Sequence, residues 1–135
     1  MVEKLLDLHK NSYVPISNFP VSACVITNDG REFYGVNVED ASTRAGVCAE
    51  RNAIFTAVTN GVKKEDFKEI HVMTSSGEMS TPCFVCRQMI SELFPKNAMV
   101  RCYNTTGDYK DYTVAELCPY PFGEEDLKWN VDLLV

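Results

Sequence analysis

Three cysteines constrain this chain more than any other feature. Cys48-Ala49-Glu50 is followed further along by Pro82-Cys83-Phe84-Val85-Cys86. A Cys-x-x-Cys pair at the start of a helix puts both sulfurs on one face of the first turn, where they reach one ion. Cys48 opens a second predicted helix and supplies a third ligand. The fold therefore has to bring two helix starts together. Three protein ligands leave the fourth tetrahedral position to water, the arrangement of a catalytic zinc site.

The charges follow a consistent pattern. Three thiolates around Zn²⁺ sum to a net negative charge, which weakens the metal as a Lewis acid. Helix N-termini carry positive partial charge and offset part of this. Arg51 is placed to hydrogen-bond the thiolates, with Arg87 as a second candidate. Glu50 lies two residues beyond Cys48, near the metal without having to bind it. A carboxylate there moves protons between water and substrate.

Spacing leaves two alternatives open. One is a closed structural zinc site with Cys24 or Cys102 as fourth ligand, since neither His9 nor His71 has a cysteine partner at finger spacing. The other is a redox pair at Cys83 and Cys86, which leaves Cys48-Ala49-Glu50 unexplained.

Composition narrows the setting. The 135 residues suit one domain over 1–135, and 45% hydrophobic with 24% charged residues is ordinary for a soluble globular protein. The net charge is −6, with the thirteen lysines and arginines scattered. Long nucleic acid needs clustered cations, so a small substrate is expected and polymer binding is disfavoured. No apolar run is long enough to span a membrane, and the first ten residues lack a secretory pattern, so a cytoplasmic location is expected. Cys24, Cys102 and Cys118 sit in apolar stretches and read as core.

Periodicity predicts a helix over 2–13, then an irregular segment held by Pro15 and Pro20. Val21 to Thr27 and Glu32 to Val38 read as a hairpin around Asn28-Asp29-Gly30. A helix over 48–60 precedes a strand over 69–74. A second helix runs from Pro82 to before Pro95, and a strand covers 99–103. Residues 104–110 read as a polar loop, followed by a short helix and an irregular tail. Alternating helices and strands after the hairpin point to parallel pairing in a mixed sheet covered by helices, an α/β/α sandwich.

The Cys-Ala-Glu and Pro-Cys-x-x-Cys segments resemble the zinc nucleoside deaminases, whose signature includes an all-cysteine variant. Ser17 to Ala23, Asn37 to Ala41, Ala49 to Ile54, Cys86-Arg87-Gln88 and Phe122 to Leu127 are similar to further segments of that family. The likeness runs from about Tyr13 to Leu127 and fits the short, three-cysteine cytidine deaminases. It implies a three-layer α/β/α sandwich with a mixed five-stranded sheet. It also implies one Zn²⁺ per subunit, a homotetramer with shared active sites, and a place in pyrimidine salvage. The implied reaction is hydrolytic deamination of cytidine and deoxycytidine. Water activated by zinc attacks C4, and Glu50 protonates N3 and then the departing amine. By the same resemblance, Asn37 and Glu39 bind the ribose and Phe19 stacks on the base. Backbone near Ala49 reads the base edge, and Phe122 reaches a neighbouring subunit.

Three positions depart from the family's usual residues. Ser22 stands for Gly near the expected base pocket, Thr43 stands for an aromatic, and Phe84-Val85 replaces Gly-Ala above the metal-bearing helix. These departures keep a second substrate in view, another aminopyrimidine nucleoside such as blasticidin S. A non-catalytic zinc-stabilised binding module and a polynucleotide-editing deaminase are the further alternatives.

Overall fold

A computed structural model of the chain describes residues 1–128. Its centre is β1 (Val21–Thr27) and β3 (Phe67–Thr74), each buried along nearly its whole length. Strands covered on both faces tend to read as apolar runs, as β1 does, while β3 carries Lys68 and Glu69 before its buried stretch. The sheet order is β2 (Glu32–Val36), β1, β3, β4 (Met99–Tyr103) and β5 (Tyr109–Thr113). Only β3 and β4 pair in parallel; the other neighbours are antiparallel. The sheet is mixed and five-stranded, as expected.

Helices cover both faces. α1 (Val2–Leu8) packs Leu5 against Cys24, Met73 and Tyr103 on one side. α2 (Ala49–Thr59) and α3 (Phe84–Leu93) lie on the other, with the short α4 (Val114–Leu117) behind α3. There Ile54 and Ile90 meet Val25, Ile70 and Val100. Burying a side chain of this size contributes roughly 1.5–3 kcal/mol.

α2 sits unusually close to the sheet. Ala49, Ala53 and Ala57 are fully buried and form its inner face at i, i+4 spacing. Opposite them is Gly35 of β2, where a Cβ would stand 2.4 Å from the Ala53 nitrogen and 2.7 Å from the Ala49 oxygen. Small residues on both sides bring the start of α2 against the sheet edge.

Several boundaries differ from expectation. The first helix is α-helical only to Leu8 and tightens to a 3-10 turn over His9–Asn11. β2 stops at Val36: the Asn37 N–H still donates to the Val21 carbonyl, but its own carbonyl accepts from Tyr13 and its side-chain oxygen accepts from the Val21 N–H instead. β5 has no signal in the sequence, where residues 104–110 read as a loop and those after it as a short helix and tail. Its five residues are largely polar and sit at the sheet edge, where Arg101 and Asp111 form a cross-strand ion pair at 2.7 Å. Gly107, at φ +88°, turns the chain into it. The end of the expected irregular tail lies outside the described residues.

Candidate active site

The two helix starts converge at one end of the sheet. Cys48 is the N-cap of α2 and Cys83 the N-cap of α3, both with extended backbone. Cys86 follows one turn into α3 and is buried. The loop before Cys48 is closed by Asp40, whose Oδ1 accepts from the backbone N–H of Ala45 and Gly46, both at 3.0 Å. Val38 and Val47 then pair in an isolated bridge that aims Cys48 at α3.

The three sulfurs lie within 4.8 Å of one another, with Cys48 and Cys83 at 3.8 Å. Tetrahedral zinc with Zn–S bonds of about 2.3 Å requires sulfurs about 3.8 Å apart, so the donor set fits that ion. No fourth Cys, His, Asp or Glu joins the cluster among the described residues. His9 bonds the Met73 carbonyl, and His71 is held between Tyr103 and Glu69. Cys24 is buried with α1 on the opposite face of the sheet. A closed four-ligand site is therefore not built here.

Arg51 donates from Nη2 to the Cys48 sulfur at 3.4 Å, as the sequence suggested. Arg87 does not. Its guanidinium bonds the carbonyls of Pro82 at 2.7 Å and Leu117 at 2.9 Å, and the Thr81 hydroxyl at 2.6 Å. It braces the loop before α3 against α4. Hydrogen bonding from the Cys86 thiol, then from Arg51, pulls the Cys48 thiol down to about 5. Sharing that proton and burial push Cys86 up. One sulfur is thus already ionised near neutral pH, as a metal ligand needs to be.

Glu50 is 5% exposed and lines the pocket that opens beside the sulfurs. Burial pushes its carboxyl up to about 7, helped by the neighbouring Cys48 charge. A carboxyl tuned to that range takes and gives protons at neutral pH.

The pocket holds about 320 Å³ and gathers Phe19, Asn37, Glu39, Cys48, Ala49, Glu50 and Cys83. A second hollow beside it shares Asn37, Glu39 and Cys48, and adds Thr43 and Arg51. Asn37 and Glu39 do structural work as well as lining. Asn37 accepts from the Val21 N–H at 2.8 Å and donates to the Phe19 carbonyl at 2.9 Å, which holds Phe19 over the opening. Glu39 Oε1 accepts the N–H groups of Ile16 and Ser17, both at 3.1 Å. Hydrogen bonding from Ser17 keeps that carboxyl below its ordinary range, hence ionised.

Phe122 is not brought to this pocket. It is half exposed, its carbonyl held by Gln88 Nε2 at 2.6 Å. Ser22 faces away too. Strand alternation turns it to the α1 side, where its hydroxyl donates to the Leu5 carbonyl at 2.7 Å. Phe84 and Val85 point outward at 73% and 61% exposure, and Phe84 lies under the Arg87 guanidinium. Neither lines the pocket, so the added bulk above the helix leaves it unaltered. Thr43 is at φ +61°, a left-handed conformation rare for a β-branched residue.

Sequence reasoning missed the pocket floor and rim: Val21, Val72, Thr74, Ser80 and Thr81. The ends of central strands in an α/β sheet are common ligand positions, which is the one signal that pointed there.

Known proteins share this fold. The cytidine and deoxycytidylate deaminase zinc-binding region matches residues 1–102. A cytidine deaminase of Sporosarcina psychrophila is 39% identical over 97% of this chain and 98% of its own length. The crystal structure of a cytidine deaminase from Burkholderia pseudomallei superposes with a TM-score of 0.85 at 36% identity, covering 90% of this chain and 95% of that one. A blasticidin-S deaminase of Bacillus cereus is 33% identical over 76% of each chain. Since the match takes in Cys48, Glu50, Cys83 and Cys86 and the fold that joins them, the chain belongs to the cytidine and deoxycytidylate deaminase family.

Proposed function

We propose that this chain hydrolyses cytidine and deoxycytidine to uridine and deoxyuridine, releasing ammonia. The observation that carries this is a buried carboxyl, Glu50, in the wall of a pocket that also reaches Cys48 and Cys83 of a three-sulfur cluster, which has no fourth protein ligand among the described residues. Cys48, Cys83 and Cys86 hold one zinc ion per chain, which when bound lowers the pKa of a water molecule so that hydrolysis proceeds at neutral pH. Arg51 neutralises part of the thiolate charge.

Glu50 takes a proton from the attacking water and passes it to ring N3. It then delivers a second to the departing amine at C4. Phe19 stacks on the base, and backbone at Ala49 reads its edge. Glu39 keeps Oε2 for a ribose hydroxyl, since Oε1 is committed to backbone donors. Asn37 shares that end of the pocket and completes the sugar contact. No Lys or Arg lines this pocket among the described residues, and Arg51 of the adjoining hollow is turned to the Cys48 sulfur, which favours the free nucleoside over a nucleotide as substrate.

The working form is a single catalytic domain in a homotetramer, where Phe122 reaches the pocket of a neighbouring subunit. Its setting is cytoplasmic pyrimidine salvage, with no membrane or nucleic-acid partner. The likeness to a blasticidin-S deaminase covers less of the chain than that to the cytidine deaminases, which ranks the antibiotic second.

Zinc-loaded protein mixed with cytidine is expected to lose the cytidine absorbance band as uridine forms. No turnover of either nucleoside defeats the proposal. A clear kcat/KM preference for blasticidin S over cytidine reverses the ranking.

A further inference from the structure

Thr74 is the last residue of β3 and lines the pocket floor. It is 7% exposed, yet its Oγ1 makes no hydrogen bond among the described residues. Alternation along β3 puts it on the same face as Val72, turned toward α2 and α3. Its ladder partner on β1 is Val21, which also lines the pocket.

The other uncharged polar side chains of the lining are engaged elsewhere or open to solvent. Asn37 is bonded to the backbone of Phe19 and Val21. The Ser17 hydroxyl accepts from the Phe19 N–H at 3.1 Å, and the Thr81 hydroxyl accepts from Arg87. Ser80 is partly exposed and open to solvent. Buried hydroxyls in folded proteins are nearly always paired, and an unpaired one costs stability. A cost of this kind at a pocket floor is offset when the ligand brings the partner.

We propose that the Thr74 hydroxyl, which water does not reach in the free pocket, turns about χ1 on binding and is a specificity-determining contact, pairing with the polar edge of the bound pyrimidine. The proposal rests on the nucleoside-deaminase function above. Val21 and Val72 offer the ring only apolar contact, so Thr74 is the floor residue able to tell a polar ring edge from an apolar one. A hydroxyl both donates and accepts. It therefore serves the amino group of the substrate and the carbonyl that replaces it in the product.

The test uses zinc-loaded protein carrying Thr74→Val, which swaps the hydroxyl for a methyl at nearly the same shape. Three results are expected. The kcat/KM for cytidine falls by about tenfold, the worth of roughly one hydrogen bond. The Kd for uridine weakens by a similar factor. The Tm without nucleoside stays level or rises, because an unpaired buried hydroxyl has been removed. Thr74→Ser, which keeps the hydroxyl, is expected to restore kcat/KM to within about threefold of the parent.

Unchanged kcat/KM and unchanged uridine Kd in Thr74→Val overturn the proposal. So does a Tm several degrees lower without nucleoside, since the hydroxyl is then holding the fold together. The two levels of inference separate cleanly. Parent protein that binds uridine but does not deaminate cytidine defeats the deaminase function, and the uridine Kd of the variant still decides Thr74. Parent protein that neither binds nor turns over defeats both.

Discussion

The two helices that carry the sulfur ligands begin alike and sit in opposite surroundings. Cys48 and Cys83 are both N-caps with extended backbone, at ψ 155° and 162°. After Cys48 come Ala49 and Glu50, both buried, backed by the close approach of Gly35. After Cys83 come Phe84 and Val85, both turned to the surface. In the proposed function the start of α2 has two tasks, to hold metal and to present a proton-shuttling carboxyl, and burial serves the second by raising its pKa. The start of α3 only has to deliver two sulfurs.

The largest expected effect breaks the one feature the two starts share. Cys83→Ala is expected to lose zinc altogether, with the metal content of purified protein near zero and no detectable turnover. Zinc retained at full stoichiometry in that variant would mean the sulfur cluster is not the metal site. Next comes Glu50→Gln, which separates chemistry from ligation. It is expected to keep zinc and fold while kcat falls by about 10²–10⁴, the usual worth of a proton shuttle. Activity equal to the parent would show the protons move by another group.

Gly35→Ala probes the packing behind α2. The new Cβ meets backbone atoms, which have no room to give. A loss of about 3 kcal/mol in chemical denaturation is expected, at the upper end for overpacking. Stability within about 0.5 kcal/mol of the parent would contradict the close approach. Arg51→Gln should weaken zinc by about 10- to 100-fold in chelator competition, as loss of an outer-shell partner does. The smallest change belongs to α3. Phe84→Ala removes only an exposed ring and its contact with Arg87, so less than about 1 kcal/mol is expected, with turnover within about twofold. A large loss of activity there would make the α3 start as demanding as the α2 start.

Much of the site was legible along the chain. The pairing of Cys83 and Cys86, the placement of Glu50 beside Cys48 and the reach of Arg51 are all separations of two or three residues. Helix geometry converts such separations directly into distance. β1 and β4 were equally plain, because buried strands carry continuous apolar runs. β5 was hidden because an edge strand of polar residues is marked by its partner, not by its own pattern. Ser22 and Arg87 misled for a related reason. Closeness in sequence to the pocket or the metal says nothing about the face a side chain takes, and both turned elsewhere to bond backbone carbonyls.

The chemistry of the centre is thus written locally, in ligand type and in spacings shorter than one helical turn. Which groups share a pocket with it is set by packing over long separations. Asn37 reaches Phe19 and Val21 across the sheet edge, and Thr74 arrives at the floor because β3 pairs with β1 in one particular register. A shift of that register by one residue would turn Thr74 to the other face. That dependence is why an unpaired hydroxyl at the pocket floor shows itself only in three dimensions.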